Sequence, residues 1–233
     1  MCVILVCPPN VRPDRATLDA CHRANPHGAG VAWREDRSVR WFKGLDPSDI
    51  EPLIAELSGE IIIHFRLASV GEVTPKLCHP FPVTRSASTR QSGHARAVLF
   101  HNGTWSSWRE TFRRMPRGRF NDDLLSDSRV AASLVDLCGT NVLYRLPGRY
   151  VFFERDFTEL FGDWQGWRGM MASNLNFTHH LDRGSLFGPK HTQSADSWNQ
   201  PLLAFPGTCG TPDTPGTPHA PTPRKPSTKK QKP

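Results

Sequence analysis

The stretch Ile61-Ile62-Ile63-His64-Phe65 is a nearly unbroken apolar run, which follows Gly59 and gives way to polar sequence. A run of this length without alternation predicts a strand that is covered on both faces. Val98-Leu99-Phe100 is a second run of this kind, and it ends at His101-Asn102-Gly103. Buried strands of this type are typical of layered domains.

The sequence on either side of these runs predicts more strands and several helices. Further strands are predicted at 3–6, 31–33, 39–42, 150–153, 160–161 and 170–173. Helices are predicted at about 14–24 with Asp14 as cap, after Asp46-Pro47, and at about 127–137 between Ser126 and Gly139. The Ser-rich segment 84–95 is expected to be an exposed loop. This order favours an α+β domain with mainly antiparallel sheets.

Composition limits the class of protein. The chain has 233 residues, 37% of them hydrophobic, and none of its apolar runs approaches the roughly 18 residues of a membrane span, so we expect no membrane contact. Six cysteines are scattered without a C-x-x-C pair. We therefore expect neither a metal site nor another cofactor, and free thiols in a reducing cytoplasm.

The net charge of +7 is unevenly distributed. Residues 206–233 contain eight prolines, six threonines, five basic residues and one acid, so they carry more than half of that charge. We expect one domain over 1–205 and a disordered basic tail over 206–233. The tail is a candidate for weak contact with nucleic acid or another polyanion.

Two further groups of side chains have alternative interpretations. An aromatic set beside the arginines of 109–119 is either a base-stacking platform for nucleic acid or ordinary half-buried packing: Trp105, Trp108, Trp164 and Trp167. Four potential metal ligands lack a regular spacing, which favours packing in the core or at a pocket rim: His64, Cys78, His79 and His101.

Cys2 directly follows the initiator methionine. Removal of the methionine would leave one residue with both a thiol and a free α-amine. A thiol titrates near about 8.5 and an α-amine near about 8, so the amine can accept the thiol proton at small cost. The alternative interpretation of Cys2 is a small apolar residue that opens a buried strand.

Three later motifs also permit either chemistry or plain structure. Arg66 closes a buried strand before a turn, where it could clamp a carboxylate or form a surface ion pair. Asn102-Gly103 is a tight-turn signature that can also offer two N–H groups to an oxyanion. Asp127 lies at a predicted helix start, where an acid is commonly a cap.

The order of these motifs is more specific than any one of them: Cys2, Arg66, Cys78-His79-Pro80-Phe81, His101-Asn102-Gly103 and Ser126-Asp127-Ser128. Together they resemble the class II, or N-terminal nucleophile (Ntn), glutamine amidotransferases. The resemblance covers roughly residues 2–180, and the glycine-rich segment 25–30 and the pair Ser173-Asn174 also fit it. It implies a four-layer αββα sandwich of the Ntn-hydrolase type.

The resemblance also implies a role for each site residue. Cys2 would be the nucleophile, with its own α-amine as general base. Arg66 would bind the α-carboxylate of glutamine and Asp127 its α-ammonium group. The side-chain N–H of Asn102 and the backbone N–H of Gly103 would form the oxyanion hole. The implied reaction releases ammonia from the side-chain amide and then hydrolyses a γ-glutamyl thioester.

The sequence departs from the family pattern at the pocket rim. Many members have Asp at the position of His27 and Thr at that of Ser69, and some have His at that of Val70. The chain resembles the compact stand-alone members found in phage and bacterial genomes, so the implied partner is a separate ammonia-acceptor enzyme, in a host cytoplasm if the gene is a phage's. Two alternatives stay open: a hydrolase of another γ-glutamyl compound without ammonia transfer, and a non-catalytic module that binds nucleic acid or protein.

Overall fold

The computed structural model describes residues 2–120 and 123–181. Its strands are β1 (Val3–Cys7), β2 (Ala29–Glu35), β3 (Ser38–Leu45), β4 (Ile61–Phe65), β5 (Phe81–Pro82), β6 (Ser92–Ala95), β7 (Ala97–Asn102), β8 (Arg149–Glu154), β9 (Thr158–Phe161), β10 (Gln165–Trp167) and β11 (Met170–Ala172). Its helices are α1 (Arg15–Ala24), α2 (Pro47–Ala55), α3 (Trp108–Arg114) and α4 (Asp127–Cys138). Short 3-10 helices lie at Pro75–Leu77, Thr140–Arg145 and Asn176–His180.

The strands form two sheets. One has seven strands in the order β10-β11-β1-β4-β2-β3-β6, and the other has four in the order β5-β7-β8-β9. Each of these neighbouring pairs is antiparallel. β4 lies between β1 and β2, with Phe65 opposite both Val3 and Ala29. The apolar run at 61–65 is therefore an interior strand, as its composition predicts.

Three apolar clusters define the order of the layers. The first packs α1 and α2 on one face of the seven-stranded sheet. The second fills the space between the two sheets, and the third packs α3 and α4 on the far face of the four-stranded sheet. The fold is therefore a four-layer αββα sandwich with antiparallel sheets, which confirms the expected fold class.

The helix starts are set by the predicted caps. Asp14 accepts a 2.8 Å hydrogen bond from the Thr17 N–H at the start of α1. Asp46 forms a capping box at the start of α2, and Ser126 accepts from the Arg129 N–H at the start of α4. Gly139 ends α4 with a φ of 79°, a conformation that glycine adopts readily. This start of α4 places Asp127 in its first turn.

The prediction of a loop over 84–95 is wrong for its last four residues. Residues 92–95 form β6, an edge strand that pairs with β3. Gly93 lies against the ring of Trp41, where a Cβ atom would approach to 2.7 Å. An edge strand with one exposed face needs few apolar residues, so the polar composition of this segment concealed it.

The four tryptophans do not form one platform. Trp105 and Trp108 are each only 4% exposed, and they belong to the cluster that packs α3 and α4 on the four-stranded sheet. Trp164 packs on the cluster between the sheets, and Trp167 packs on the cluster beneath α1 and α2. The four rings thus belong to three separate apolar clusters, which favours the interpretation as packing.

Two further observations concern the chain as a whole. The predicted domain boundary at 205 and the tail 206–233 lie outside the described residues. Within the part of the chain that is described, none of the helices has both the length and the apolar character needed to cross a membrane.

Candidate active site

A cavity opens at one end of the space between the sheets. Four of the five predicted site residues line it together: Cys2, Arg66, Gly103 and Asp127. They come from the start of β1, the end of β4, the end of β7 and the start of α4. The fold thus brings together residues that lie up to 125 positions apart in the sequence. The fifth, Asn102, lies directly behind Gly103 and does not line the cavity.

Cys2 is held at its sulfur and at its carbonyl. Its Sγ lies 3.3 Å from the backbone nitrogen of Leu67, which donates to it, and its carbonyl accepts from the side-chain amide of Asn174 at 2.7 Å. Burial raises the pKa of the Cys2 thiol, and the Leu67 N–H partly opposes that rise. Because the neutral thiol is favoured, attack by this sulfur needs a base beside it.

Arg66 is buried at the end of β4 and reaches over the loop that follows. Its guanidinium donates to the carbonyl of Glu72 at 2.8 Å and to that of Val70 at 3.2 Å. Burial lowers the pKa of this guanidinium. Its cation is thus balanced by peptide dipoles at the cavity wall, which suits it to a ligand carboxylate.

Asp127 connects the start of α4 to the loop after β7. One carboxylate oxygen accepts from the Trp105 N–H at 2.9 Å, and the other accepts from the Ser128 N–H at 2.8 Å. The side chain is only 6% exposed, and His101 Nδ1 lies 4.0 Å from its Oδ2. A carboxylate held this way presents negative charge to the cavity that it lines.

Asn102 ends β7 and is fully buried. Its side-chain nitrogen donates to Ser173 Oγ at 2.8 Å, and its Oδ1 has no hydrogen-bond partner. The two ends of an amide are assigned from hydrogen bonding. The reversed orientation would let Oδ1 accept from the Ser173 hydroxyl and place the NH₂ where the unpartnered oxygen now lies. An oxyanion role for Asn102 requires that reversed orientation.

Gly103 is required by its neighbours. A Cβ atom at this position would lie 2.8 Å from the Cα of Gly148 and 2.9 Å from the ring of His101. The backbone therefore passes between two groups that leave no space for a side chain. Its close approach places the peptide at the cavity wall, where Asn102 ends β7 and Gly103 forms a bend in place of the expected tight turn.

Two buried nitrogen-bearing side chains, His64 and Lys43, lie next to the cavity-lining residue His79 and its neighbour Pro80. The rings of His64 and His79 lie 4.0 Å apart, and His79 lines the cavity. Burial lowers the pKa of His64 to about 3 and that of His79 well below its ordinary value. Lys43 donates to the Pro80 carbonyl at 3.3 Å, and burial lowers its pKa to about 7. Neutral imidazoles and a weakly basic amine therefore border the site.

Sequence reasoning gave no role to several residues that support the site. His101 stacks on Tyr150 at 4.3 Å and shares a 2.9 Å hydrogen bond with Ser128 Oγ. Ser173 accepts from the Ile4 N–H as well as from Asn102. The Cys-His-Pro-Phe and Ser-Asn motifs of the sequence indicate two of the regions that support the site. The Leu67 N–H is a backbone group, so no residue type in the sequence indicates its role. In residues 2–120 and 123–181, no group of three or more His, Cys, Asp or Glu side chains is placed to hold a metal ion.

Solved structures provide a comparison for the fold. The chain matches a structure of glutamine phosphoribosylpyrophosphate (PRPP) amidotransferase from B. subtilis, complexed with ADP and GMP, at 17% identity and a TM-score of 0.53. The match covers 74% of this chain and 42% of that one. A structure described as the allosteric regulatory enzyme of purine biosynthesis matches at 19% identity and a TM-score of 0.46, over 69% of this chain and 35% of that one.

The first of these matches shows a shared fold. No protein-family profile matches the sequence, and neither does any curated protein. The first neighbour is an amidotransferase by its description, and this chain spans less than half of its length. The four-layer sandwich is therefore a fold on which amidotransferase chemistry occurs, and the chemistry of this chain rests on its own cavity.

Proposed function

We propose that the protein is a class II glutamine amidotransferase domain that hydrolyses the side-chain amide of glutamine through a thioester on Cys2. The observation that carries the proposal is the shared cavity of Cys2, Arg66, Gly103 and Asp127. A nucleophile, a cation, a backbone N–H and an anion are the four groups needed to attack a free amino acid at its side-chain amide.

In this mechanism the sulfur of Cys2 attacks the amide carbon of glutamine. Removal of Met1 frees the α-amine of Cys2, which accepts the thiol proton. The N–H of Gly103, with the reversed amide of Asn102, stabilises the oxyanion. The α-ammonium group of Cys2 then returns the proton to the amide nitrogen of glutamine, which leaves as ammonia. Water hydrolyses the remaining thioester to glutamate.

Arg66 and Asp127 would select the substrate. The guanidinium would pair with the α-carboxylate of glutamine, and the carboxylate of Asp127 with its α-ammonium group. A glutamine side chain inside a peptide offers neither charge, so it would be rejected. The same pair of contacts would accept another γ-glutamyl compound that keeps both charged groups.

The proposal includes a separate enzyme that consumes the ammonia. The amidotransferase neighbour has additional chain beyond the part that this fold matches, and an acceptor chain would supply the corresponding function here. A nucleophilic thiol must stay reduced, which is consistent with a cytoplasmic location. The basic tail would contribute weak contact with a polyanion.

The test is ammonia release from glutamine by protein with a processed N-terminus. Cys2→Ala is expected to lower the rate by more than about 1,000-fold, because the nucleophile is lost. Cys138→Ala provides the matched control, since Cys138 is the exposed thiol among the described free cysteines. Retention of a tag before Cys2 should abolish the activity as well.

Two results would contradict this mechanism. Equal activity of tagged and processed protein would exclude the α-amine as base. A glutamine-like electrophile that labels Cys78 in place of Cys2, mapped by mass spectrometry, would exclude Cys2 as nucleophile. Hydrolysis of γ-glutamyl compounds without hydrolysis of glutamine would keep the mechanism and change the substrate.

A further inference from the structure

We propose that His27 is a positioning residue whose unprotonated ring nitrogen holds the segment Arg66-Leu67-Ala68 against Cys2, so that acidification releases this segment and weakens the reaction. The inference rests on the proposed function for its kinetic consequence. Its structural part concerns one hydrogen bond at a histidine and can be tested without glutamine.

His27 binds this segment at two points. The backbone N–H of His27 donates to the Arg66 carbonyl at 3.0 Å, and the backbone N–H of Ala68 donates to His27 Nδ1 at 3.0 Å. Leu67 lies between these two contacts, and its N–H is the group that donates to Cys2 Sγ at 3.3 Å. The position of the donor at the nucleophile is therefore fixed on both sides by one residue.

The same segment carries the arginine of the site. The Arg66 N–H donates to the Gly28 carbonyl at 2.9 Å, which continues the contact between the two chain segments. Arg66 then reaches the cavity that Cys2 lines. Loss of the Ala68 contact would consequently affect both the sulfur and the proposed carboxylate-binding group.

The hydrogen bond to Nδ1 depends on protonation. A neutral imidazole can accept at one ring nitrogen, whereas both nitrogens of an imidazolium are donors. The Ala68 N–H would then face another N–H, and the contact would be lost. His27 is half-buried, so protons from solvent reach its ring.

The groups around His27 come from three elements. Arg66, at the end of β4, brings a cation, and Cys2, at the start of β1, brings the thiol bound to Leu67. The Cys78 thiol, after the 3-10 helix Pro75–Leu77, donates to the His27 carbonyl at 3.4 Å. In the described residues, none of the hydrogen bonds or ion pairs shown joins His27 to a carboxylate that would hold an imidazolium.

Two variants separate this role from simple packing. His27→Asn places a carbonyl oxygen close to the position of Nδ1, and this acceptor does not titrate. His27→Gln has similar polarity but carries its carbonyl one bond further out, near the position of Nε2. The first variant should keep the Ala68 contact at every pH, and the second should lose it at every pH.

The experiment measures kcat/KM for glutamine hydrolysis, and the rate of Cys2 alkylation by iodoacetamide, between pH 5 and 8. For each of these two quantities, the value for the original protein divided by the value for His27→Asn should be near one at pH 8. This ratio should fall by about five- to tenfold towards pH 5, which is the effect expected for one lost hydrogen bond. His27→Gln should be reduced by a similar factor across the range. A ratio that is constant with pH would overturn the proposal.

A third readout is independent of catalysis. Hydrogen exchange at the amides of Leu67 and Ala68 should become faster on acidification in the original protein relative to His27→Asn, and the comparison removes the intrinsic pH effect. Equal protection in both proteins would refute the inference even if glutamine is hydrolysed. Absence of glutamine hydrolysis at every pH, with the exchange difference present, would refute only the proposed function. Thermal unfolding at pH 8 verifies that both variants are folded.

Discussion

The two ends of the space between the sheets are built from the same strands and differ in chemistry. At one end the inward-facing residues are apolar: Ile4, Ala32, Trp41, Ile62 and Phe100. The residue two positions away on each of these strands lies on the same face and belongs to the other end. These residues are Cys2, Gly30, Lys43, His64 and Asn102. Five strands therefore change from apolar to polar or small residues at the same level. The apolar end supplies stability, and the polar end supplies the site at a cost in stability.

That cost can be estimated from the unpartnered atoms. His64 Nδ1 and both ring nitrogens of His79 are buried and have no hydrogen-bond partner among the described residues. Each such group is destabilising by about 1–3 kcal/mol. A fold that retains several of them beside a thiol and an arginine keeps polar groups where apolar ones would be more stable, as is common at functional sites.

The largest effect is expected at the apolar end. Phe100→Ala should lower the free energy of unfolding by about 3–5 kcal/mol, because it leaves a cavity between the two sheets. Urea denaturation followed by tryptophan fluorescence measures this change. A loss below about 1 kcal/mol would show that the apolar end does not supply the stability assigned to it here.

Lys43→Met should produce the next largest effect, through its dependence on pH. Burial lowers the pKa of Lys43 to about 7, so between about pH 7 and 10 the unfolded chain binds the proton that the folded chain has released. Stability should therefore rise with pH across this window, with a slope approaching about 1.4 kcal/mol per pH unit from this group. Urea unfolding at pH 7, 8 and 9 should show this slope only with Lys43 present. Identical slopes in both proteins would mean that the buried amine does not titrate in this range.

His64→Leu is the polar-end counterpart of Phe100→Ala. It replaces a buried ring whose Nε2 shares a 3.2 Å hydrogen bond with the His101 carbonyl by an apolar group of similar size, so the free energy of unfolding should fall by about 1–2 kcal/mol. Catalysis should suffer more than stability, because the ring of His79 loses its neighbour. A loss of several kcal/mol would place His64 with the apolar end and remove the contrast between the ends.

Ser69→Ala should have the smallest effect. The Ser69 hydroxyl shares a 2.8 Å hydrogen bond with Thr104 at the exposed rim of the site. An exposed bond of this kind contributes up to about 1 kcal/mol, so stability should hardly change. The KM for glutamine is expected to rise by about two- to fivefold while kcat stays constant. Thr104→Val should give the same result if the two hydroxyls act together.

The sequence predicts the local parts of this structure better than the distant ones. The caps at Asp14, Asp46 and Ser126 act within three residues, so their signals are contained in short segments. The residues that line the cavity were expected from the order of the motifs and the family resemblance that this order carries, because each motif alone also permits a purely structural interpretation. The burial of Lys43 could not be predicted, because it is a lysine in an otherwise ordinary strand. Strand β6 could not be predicted either, because it depends on a glycine that fits against a distant tryptophan.

The contacts of Ser173 and Asn174 have a consequence for the time at which the site forms. Ser173 Oγ accepts from the Ile4 N–H, and Asn174 holds the Cys2 carbonyl, across 169 and 172 positions of sequence. The strand that carries the thiol is thus synthesised well before the residues that complete its hydrogen bonds. A chain that ends before residue 173 lacks both contacts. The surroundings of Cys2 are therefore complete only when the last strands of the fold are in place.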